Sequence, residues 1–403
     1  APENYKRGKG SGRMPDLLQS IQNLLIYAGS FVVVLSVVVF VHEFGHFQVA
    51  RWRGVAIDTF SIGFGRTLLG WRDKHGVQWK IGALPLGGYV KFADDADAMS
   101  TGPRERIDDP EVLAEARRKG LFHAQPLSTR SLVVAAGPVT NFIFAILAFA
   151  ALALIIGRDT TDVNSIPARI AAVSPGSAAA AAGLQSGDVI VAVDGAAIAN
   201  FSALQSAVGP AAGRELAVEI ERNGARQTLQ LTPTRSNLGR AVLGVTGPLP
   251  LESERTIEHY NPIQAIGVGA NNTWRIIAQT VTYIGGIFTG RESGDQIAGP
   301  LGIINVSGQV ASSALNGPAG GGEWTDRVGM LALALLNLAA VLSVAVGFVN
   351  LLPIPILDGG HLLFYGIEAL RGGRPLPPSA QEWAYRAGFA VMASLFLFAT
   401  WND

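Results

Sequence analysis

Residues 24–46 read LLIYAGSFVVVLSVVVFVHEFGH, an apolar run that ends in two histidines and a glutamate. A run of this length without a charge predicts a membrane-spanning helix. His42 and His46 are four apart, so on that helix they share one face and both imidazoles reach a single tetrahedral Zn²⁺. Glu43 stands beside them, placed to take a proton from a water on the metal, as in a zinc protease motif. Ionisable groups at membrane depth are costly and by default mark a functional site. The bland alternative is a helix end where two His and a Glu merely meet the interface. It leaves unexplained why three polar groups gather in a chain that otherwise keeps charge out of its apolar segments.

Hydrophobic residues make up 49% of the 403, charged residues 15%, and the mean hydropathy is +0.30. That is too apolar for an ordinary soluble chain and predicts a polytopic α-helical membrane protein, with the lipid bilayer as its surroundings. A formal net charge of zero offers no basic face for nucleic acid, which is excluded as a partner. Without cysteine there are no disulfides, thiolate ligands or cysteine nucleophiles, so a metal site must be built from His and carboxylates. Residues 1–13, with Lys6, Arg7, Lys9 and Arg13 among Gly and Ser, read as an expression scar ahead of a natural start at Met14. The apolar run that follows lacks a small-residue cleavage site and leads straight into the metal motif, so it is expected to stay in the mature chain.

Four segments are long and apolar enough to span a bilayer: 24–41, continuing towards Arg51, then 139–156, 328–349 and 385–401. Between the first two, thirteen Lys and Arg from Arg51 to Arg130 point to the cytoplasm, and Arg371, Arg374 and Arg386 between the last two agree. The stretch 157–326 then faces the opposite side. Alternating Val77, Trp79 and Ile81, followed by 84–92 with Gly87 and Gly88, predict a strand and a hairpin. Trp71, Trp79, Leu84, Leu86 and Tyr89 are unusually apolar for a cytoplasmic loop, so this sheet is expected to dip back towards the metal. An amphipathic helix is expected over 259–289, with Ile263, Ile266, Trp274, Ile277, Val281 and Ile284 on one face, lying on the membrane or bracing the soluble domain. A turn follows at 295–300.

Residues 166–234 read as a soluble domain in the order strand, helix, strand, helix, strand, strand. Its stretch SPGSAAAAAGLQSGDVIVAVDG (174–195) resembles the membrane-protease version of a PDZ domain. PDZ domains bind extended peptides beside a sheet edge, so a peptide ligand is implied, with substrate screening as the task.

A catalytic zinc with two His and a water leaves one protein position, usually filled by His or a carboxylate. Asp358, in NLLPIPILDGGH (350–361), is the leading candidate, and His361 a weaker one better suited to a capping or supporting role. Pro353 and Pro355 cannot stay in a regular helix, so the chain there is expected to be broken and extended. Such a break is tolerable in lipid only where it lines a polar cavity. His75, His123 and His259 read as ordinary loop or surface residues.

HEFGH and NLLPIPILDGGH together resemble the site-2 protease family of intramembrane zinc metalloproteases, bacterial RseP type. FSIGFG (60–65), PLGGYVK (85–91), GPVTN (137–141) and AGPLGI (298–303) extend the likeness from residue 17 onward. The resemblance implies zinc bound by His42, His46 and Asp358, with Glu43 as general base and then general acid. Asn350, Pro353 and Pro355 match residues that hold the substrate strand, and Gly87, Gly88 and Tyr89 fall in the family's membrane re-entrant β-element. It also implies cleavage of a single-span membrane protein, such as an anti-sigma factor already trimmed outside, or of remnant signal peptides. The location it implies is the bacterial inner membrane, with the PDZ domain periplasmic. RseP members carry two tandem PDZ domains, whereas only one is legible here.

The division expected is 1–13 scar, 14–53 first span, 54–130 cytoplasmic and re-entrant β region, 131–157 second span and 158–240 PDZ domain. Then come 241–327 amphipathic helix and connection, 328–370 third span with the proline motif, and 371–403 fourth span. Two rivals from other classes are a PDZ-bearing membrane scaffold with a structural metal and a metal transporter. The broken 350–358 segment suits a transporter superficially, but a glutamate between paired histidines and a PDZ domain do not; the scaffold reading predicts no proteolysis.

Overall fold

A computed structural model of the chain describes residues 13–93, 107, 109–235, 241–294, 299–316 and 323–403. Residues 1–12 of the expected scar and the turn at 295–298 lie outside the described residues. Two compact units emerge, one from Ala1–Ile155 with Asn261–Asp403 and one from Ile156–Tyr260.

Helix α1 (Arg13–Trp52) carries the first apolar run and HEFGH without interruption. It stops where Gly54 takes a positive φ of 74° and Val55 N–H returns to the Ala50 carbonyl at 2.9 Å. Strands β1 (Ile57–Arg72) and β2 (Gln78–Phe92) follow. A strand at 77–81 and a hairpin within 84–92 were expected; instead one strand runs through both, Gly87 and Gly88 included, and β1 was not expected. Both bend sharply, at Gly63 and Gly65 in one and around Gly82 in the other, so that 57–62 pairs with 88–92 on one side and 78–81 on the other. Residues 67–72 then pair with 78–82, giving a sheet four strands wide from two long strands. Its base is fixed to α1 by rings: Phe60 and Phe47 are fully buried, 5.3 Å apart, and Trp79 sits 4.5 Å from Phe60. Helix α2 (Pro110–Arg118), capped by the Asp109 carboxylate, precedes α3 (Leu127–Ile156). Pro138 lies inside α3 and costs it one backbone hydrogen bond there.

In the second unit a sheet runs in the order 168–169, 189–193, 216–222, 225–231, with α4 (Ala178–Ala181) and α5 (Phe201–Val208) capped by Ser177 and Asn200. This is the order read from the sequence. Ile170, Ile190, Leu216, Val218 and Ile220 form its buried centre. Its end moves from the expected 240 to 260, because 245–246 pairs with 172–173 and 257–258 with 158–159.

Helix α6 (Pro262–Phe288) begins at a capping box between Asn261 and Gln264 and bears out the helix expected at 259–289. Most of the expected stripe faces outward. Ile263, Ile266, Trp274 and Val281 are exposed, while Ala265 is buried and Gly269 is so close to α3 that a Cβ there would stand 2.2 Å from the Ile146 carbonyl oxygen. Helix α7 (Pro300–Asn316) was not expected at all. Its small residues hide the signal: Ser307 and Ala311 are buried, and Gly308 lies flat on the Tyr27 ring of α1. Helix α8 (Trp324–Asn350) ends before the prolines, and α9 (Asp358–Leu370) and α10 (Pro378–Asn402) complete the chain. The link 351–357 is broken, as Pro353 and Pro355 require, but not extended. Leu351, Leu352, Ile354 and Leu357 N–H groups close tight turns, and Gly359 and Gly360 let α9 press against the carbonyls of Leu351, Leu352 and Ile354. Among the described residues, four helices are long and apolar enough to cross a membrane: Ile21–Trp52 of α1, then α3, α8 and α10.

Candidate metal centre

One turn of α1 separates His42 from His46, and their rings meet edge to face with centroids 4.8 Å apart. The first residue of α9 brings Asp358 between them: its Oδ2 lies 3.2 Å from His42 Nε2 and 3.4 Å from His46 Nε2. The two Nε2 atoms are 3.2 Å apart. All three side chains are largely buried, and Asp358 Oδ2 has no hydrogen-bond partner. A bare carboxylate oxygen in such a place is expensive unless a cation completes it. Three donors each about 2.0–2.1 Å from one tetrahedral zinc stand roughly 3.3–3.4 Å apart, which the separations here match. The residues present therefore fit the metal.

Supporting groups aim the rings. His46 Nδ1–H donates to the Val133 carbonyl of α3 at 2.8 Å, leaving Nε2 free to face the centre. His42 Nδ1 stands 3.2 Å from the amide nitrogen of Asn141, also on α3. The helices must approach closely for this. A Cβ on Gly45 would fall 2.5 Å from the Ala136 carbonyl oxygen, and one on Gly137 would fall 2.3 Å from His46 Nε2. The glycine within HEFGH is thus a contact of helix backbones.

A cavity of about 580 Å³ opens on the centre, lined by His42, Glu43, His46 and Asp358 together with Gly88, Tyr89 and Asn350. Gly88 of β2 packs so tightly on α1 that a Cβ would stand 2.9 Å from Glu43 Cγ. Pro353, Pro355 and Gly87 are not among the lining residues. Pro355 instead packs on Gly360 and Gly388, and Gly87 on the Phe64 ring. His361 lines the cavity but is not one of the converging donors, which among the described residues are His42, His46 and Asp358. His123, expected as an ordinary loop residue, also lines the cavity.

Two partnerships were missed from the sequence. One is Asn141, whose signals were a polar residue inside an apolar span and its place at the end of GPVTN, neither of which says what it touches. The other joins Arg130, at the start of α3, to Glu368 in α9: Nη2 to Oε1 is 2.6 Å and Nη1 to Oε2 3.2 Å, a two-pronged pair, with the guanidinium 4.9 Å from the Tyr365 ring centre. No local pattern could link residues so far apart in the chain.

A family model described as peptidase family M50 matches residues 30–395. The chain belongs to this family, that of the site-2 proteases. A Rhizobium meliloti protein named as a zinc metalloprotease is 42% identical over 391 residues, covering 95% of this chain and 97% of its own. Metalloprotease MmpA of Caulobacter vibrioides is 38% identical over 395 residues, covering 94% and 95%. The regulator of sigma-E protease RseP of Salmonella typhimurium is 30% identical, covering 94% and 99%. That alignment is 476 residues long against a chain of 403, so this relative carries inserted sequence with no counterpart here. This M50 peptidase is a zinc metalloendopeptidase of the membrane.

Proposed function

We propose that the chain cleaves transmembrane segments of single-span membrane proteins, with zinc held by His42, His46 and Asp358 and Glu43 as the proton carrier. The observation that carries this reading is the bare Asp358 oxygen converging with two Nε2 atoms on a cavity that Glu43 also lines. Bound there, zinc supplies a Lewis acid that polarises the scissile carbonyl and makes water acidic enough to be used near neutral pH. The Glu43 carboxylate takes the proton from the attacking water and returns it to the leaving amine.

A peptide bond in a membrane helix is protected by its own hydrogen bonds, so the enzyme must unwind it. Residues 88–92 pair only with 57–62 among the described strands, and Gly88 and Tyr89 border the cavity, which supports strand addition of the substrate at this edge. Asn350 borders the same cavity on the other motif. Pro353 and Pro355 act here through shape, holding 351–357 in turns rather than touching the substrate. We read β1–β2 as the re-entrant element, the unit 156–260 as a PDZ domain with a peptide ligand, and the location as the bacterial inner membrane with that unit periplasmic. The charge asymmetry of the loops supports this sidedness. By likeness to the regulator of sigma-E protease, the substrate class is an anti-sigma factor in regulated intramembrane proteolysis, with remnant signal peptides as a second class.

Glu43→Gln keeps zinc and fold and lowers cleavage of a tagged single-span substrate in detergent by about 10²–10⁴-fold. Cleavage at the wild-type rate in that variant would sink the mechanism. Membrane fragments that accumulate in a strain carrying it name the substrate.

A further inference from the structure

We propose that Asn141 is a positioning residue: its amide oxygen accepts from His42 Nδ1–H and so holds the imidazole in the tautomer whose Nε2 is free for the metal. The inference rests on the ligand reading above. Asn141 is fully buried in the apolar helix α3, with its amide against His42 Nδ1 and its amide oxygen left without any partner. If the NH₂ end faced Nδ1, that nitrogen would be the acceptor and Nε2 would carry the hydrogen. Nε2 could then bind no metal, and a buried acceptor would go unused. Turning the amide through 180° frees Nε2 and gives the amide oxygen its donor, with the NH₂ end taking the oxygen's former place, and the two ends are alike in shape.

His46 supplies an internal standard. Its Nδ1 faces the Val133 carbonyl, which can only accept, so its tautomer is fixed with Nε2 free. With the Asn141 oxygen turned to His42, both ligands follow one rule: an acceptor on α3 orients each ring from behind. The Asn141 backbone is itself held from α8, where the fully buried Ser343 donates to its carbonyl at 3.1 Å. Gly347 keeps that helix close, a Cβ there standing 3.2 Å from Asn141 Cβ. Helix α8 leads through 351–357 to Asp358, so the third ligand and the orientation of the first come from one side.

The test uses the full chain in detergent, with zinc affinity from chelator competition and the absorption spectrum of the Co²⁺-substituted protein. Asn141→Leu, similar in volume but with no acceptor, weakens zinc by about 10–100-fold and changes the cobalt spectrum. Asn141→Asp, which can only accept, binds zinc at least as tightly as wild type. The proposal is overturned if Asn141→Leu keeps wild-type affinity and spectrum, or if Asn141→Asp loses metal. If thermal unfolding shows that Asn141→Leu does not fold, Asn141→Asp against wild type decides alone. His46→Ala and Asp358→Asn serve as controls: wild-type affinity in them would break the ligand set itself, independently of Asn141.

Discussion

In the unit 156–260 the fully buried side chains include Ile170, Ile190, Leu216, Val218 and Ile220, whereas among the helices of the other unit close approaches run through Gly45, Gly137, Gly308 and Gly347. There Phe47, Val34 and Val38 are buried too, but other large apolar residues such as Val33, Leu147, Phe396 and Leu397 are exposed. The difference is one of solvent. Water drives apolar side chains inward, but lipid tails are as apolar as leucine, so membrane helices gain by close backbone contact and buried polar bonds. The proposed metal site inherits this logic. Its ligands are aimed by a carbonyl and an amide on a helix that glycine lets come near.

The sharpest way to break that picture is Gly137→Ala. A methyl group 2.3 Å from His46 Nε2 must displace the ring or the helix, so zinc content and cleavage fall at least roughly 100-fold, the upper scale of losing a ligand's support. Hydrogen exchange in 156–260 stays unchanged. Gly366→Ala on α9, where a Cβ meets nothing within 4 Å, changes neither. If both variants bind zinc alike by elemental analysis, close approach is not what builds the site.

A smaller effect comes from the Arg130–Glu368 pair, both mostly buried. Arg130→Met strands a buried carboxylate and destabilises the fold by about 3–5 kcal/mol, read as a lower thermal midpoint in detergent. The double variant Arg130→Met, Glu368→Leu recovers most of it, because the charges are removed together. No recovery would mean that the cation over Tyr365, rather than the ion pair, holds α9 to α3.

The same contrast explains what was legible beforehand. HEFGH needs only the period of one helix, so His42, Glu43 and His46 could be read directly, and the spans followed from hydropathy. The second unit was legible too, because water-facing strands alternate and caps such as Ser177 and Asn200 mark helix starts. Helix α7 was not, since Ser307, Gly308 and Ala311 look like a linker until a partner helix is present. Nor was the tight path of 351–357, where the prolines say that the helix stops but not which way the chain goes. That direction is set by Gly359 and Gly360, which admit the carbonyls of 351–354. The contacts of α6 through Ala265 and Gly269 were not legible either, because hydropathy marks large residues.

Truncation of side chains separates the two solvents further. Ile220→Ala, at the fully buried centre of 156–260, costs about 2–5 kcal/mol, seen as faster hydrogen exchange confined to that unit. Phe396→Ala, on the exposed face of α10, costs less than about 0.5 kcal/mol despite removing a larger side chain. Equal costs would mean that Phe396 has a protein partner rather than lipid.

The smallest effect is a pH dependence belonging to the second unit. Asp188 is 1% exposed; burial alone would raise its carboxyl, but Arg222 grips both oxygens at 2.7 Å and the Gln185 N–H donates at 2.8 Å, which together lower it. Glu254 is lowered as well, by Arg169 and the Leu251 N–H. A carboxyl depressed in the folded state adds stability that is complete above its unfolded value, about 3.9 for Asp. That stability is lost as pH falls through the folded value. Amide exchange in 156–260, corrected for its intrinsic rate, therefore stays flat from pH 7 to about 5 and rises below about 4. Asp188→Asn removes most of that rise and lowers protection already at pH 7, since it takes away Arg222's charged partner. An unchanged acid response in Asp188→Asn would assign the dependence to Glu254 and the exposed carboxylates instead, leaving the buried pair a matter of shape rather than charge.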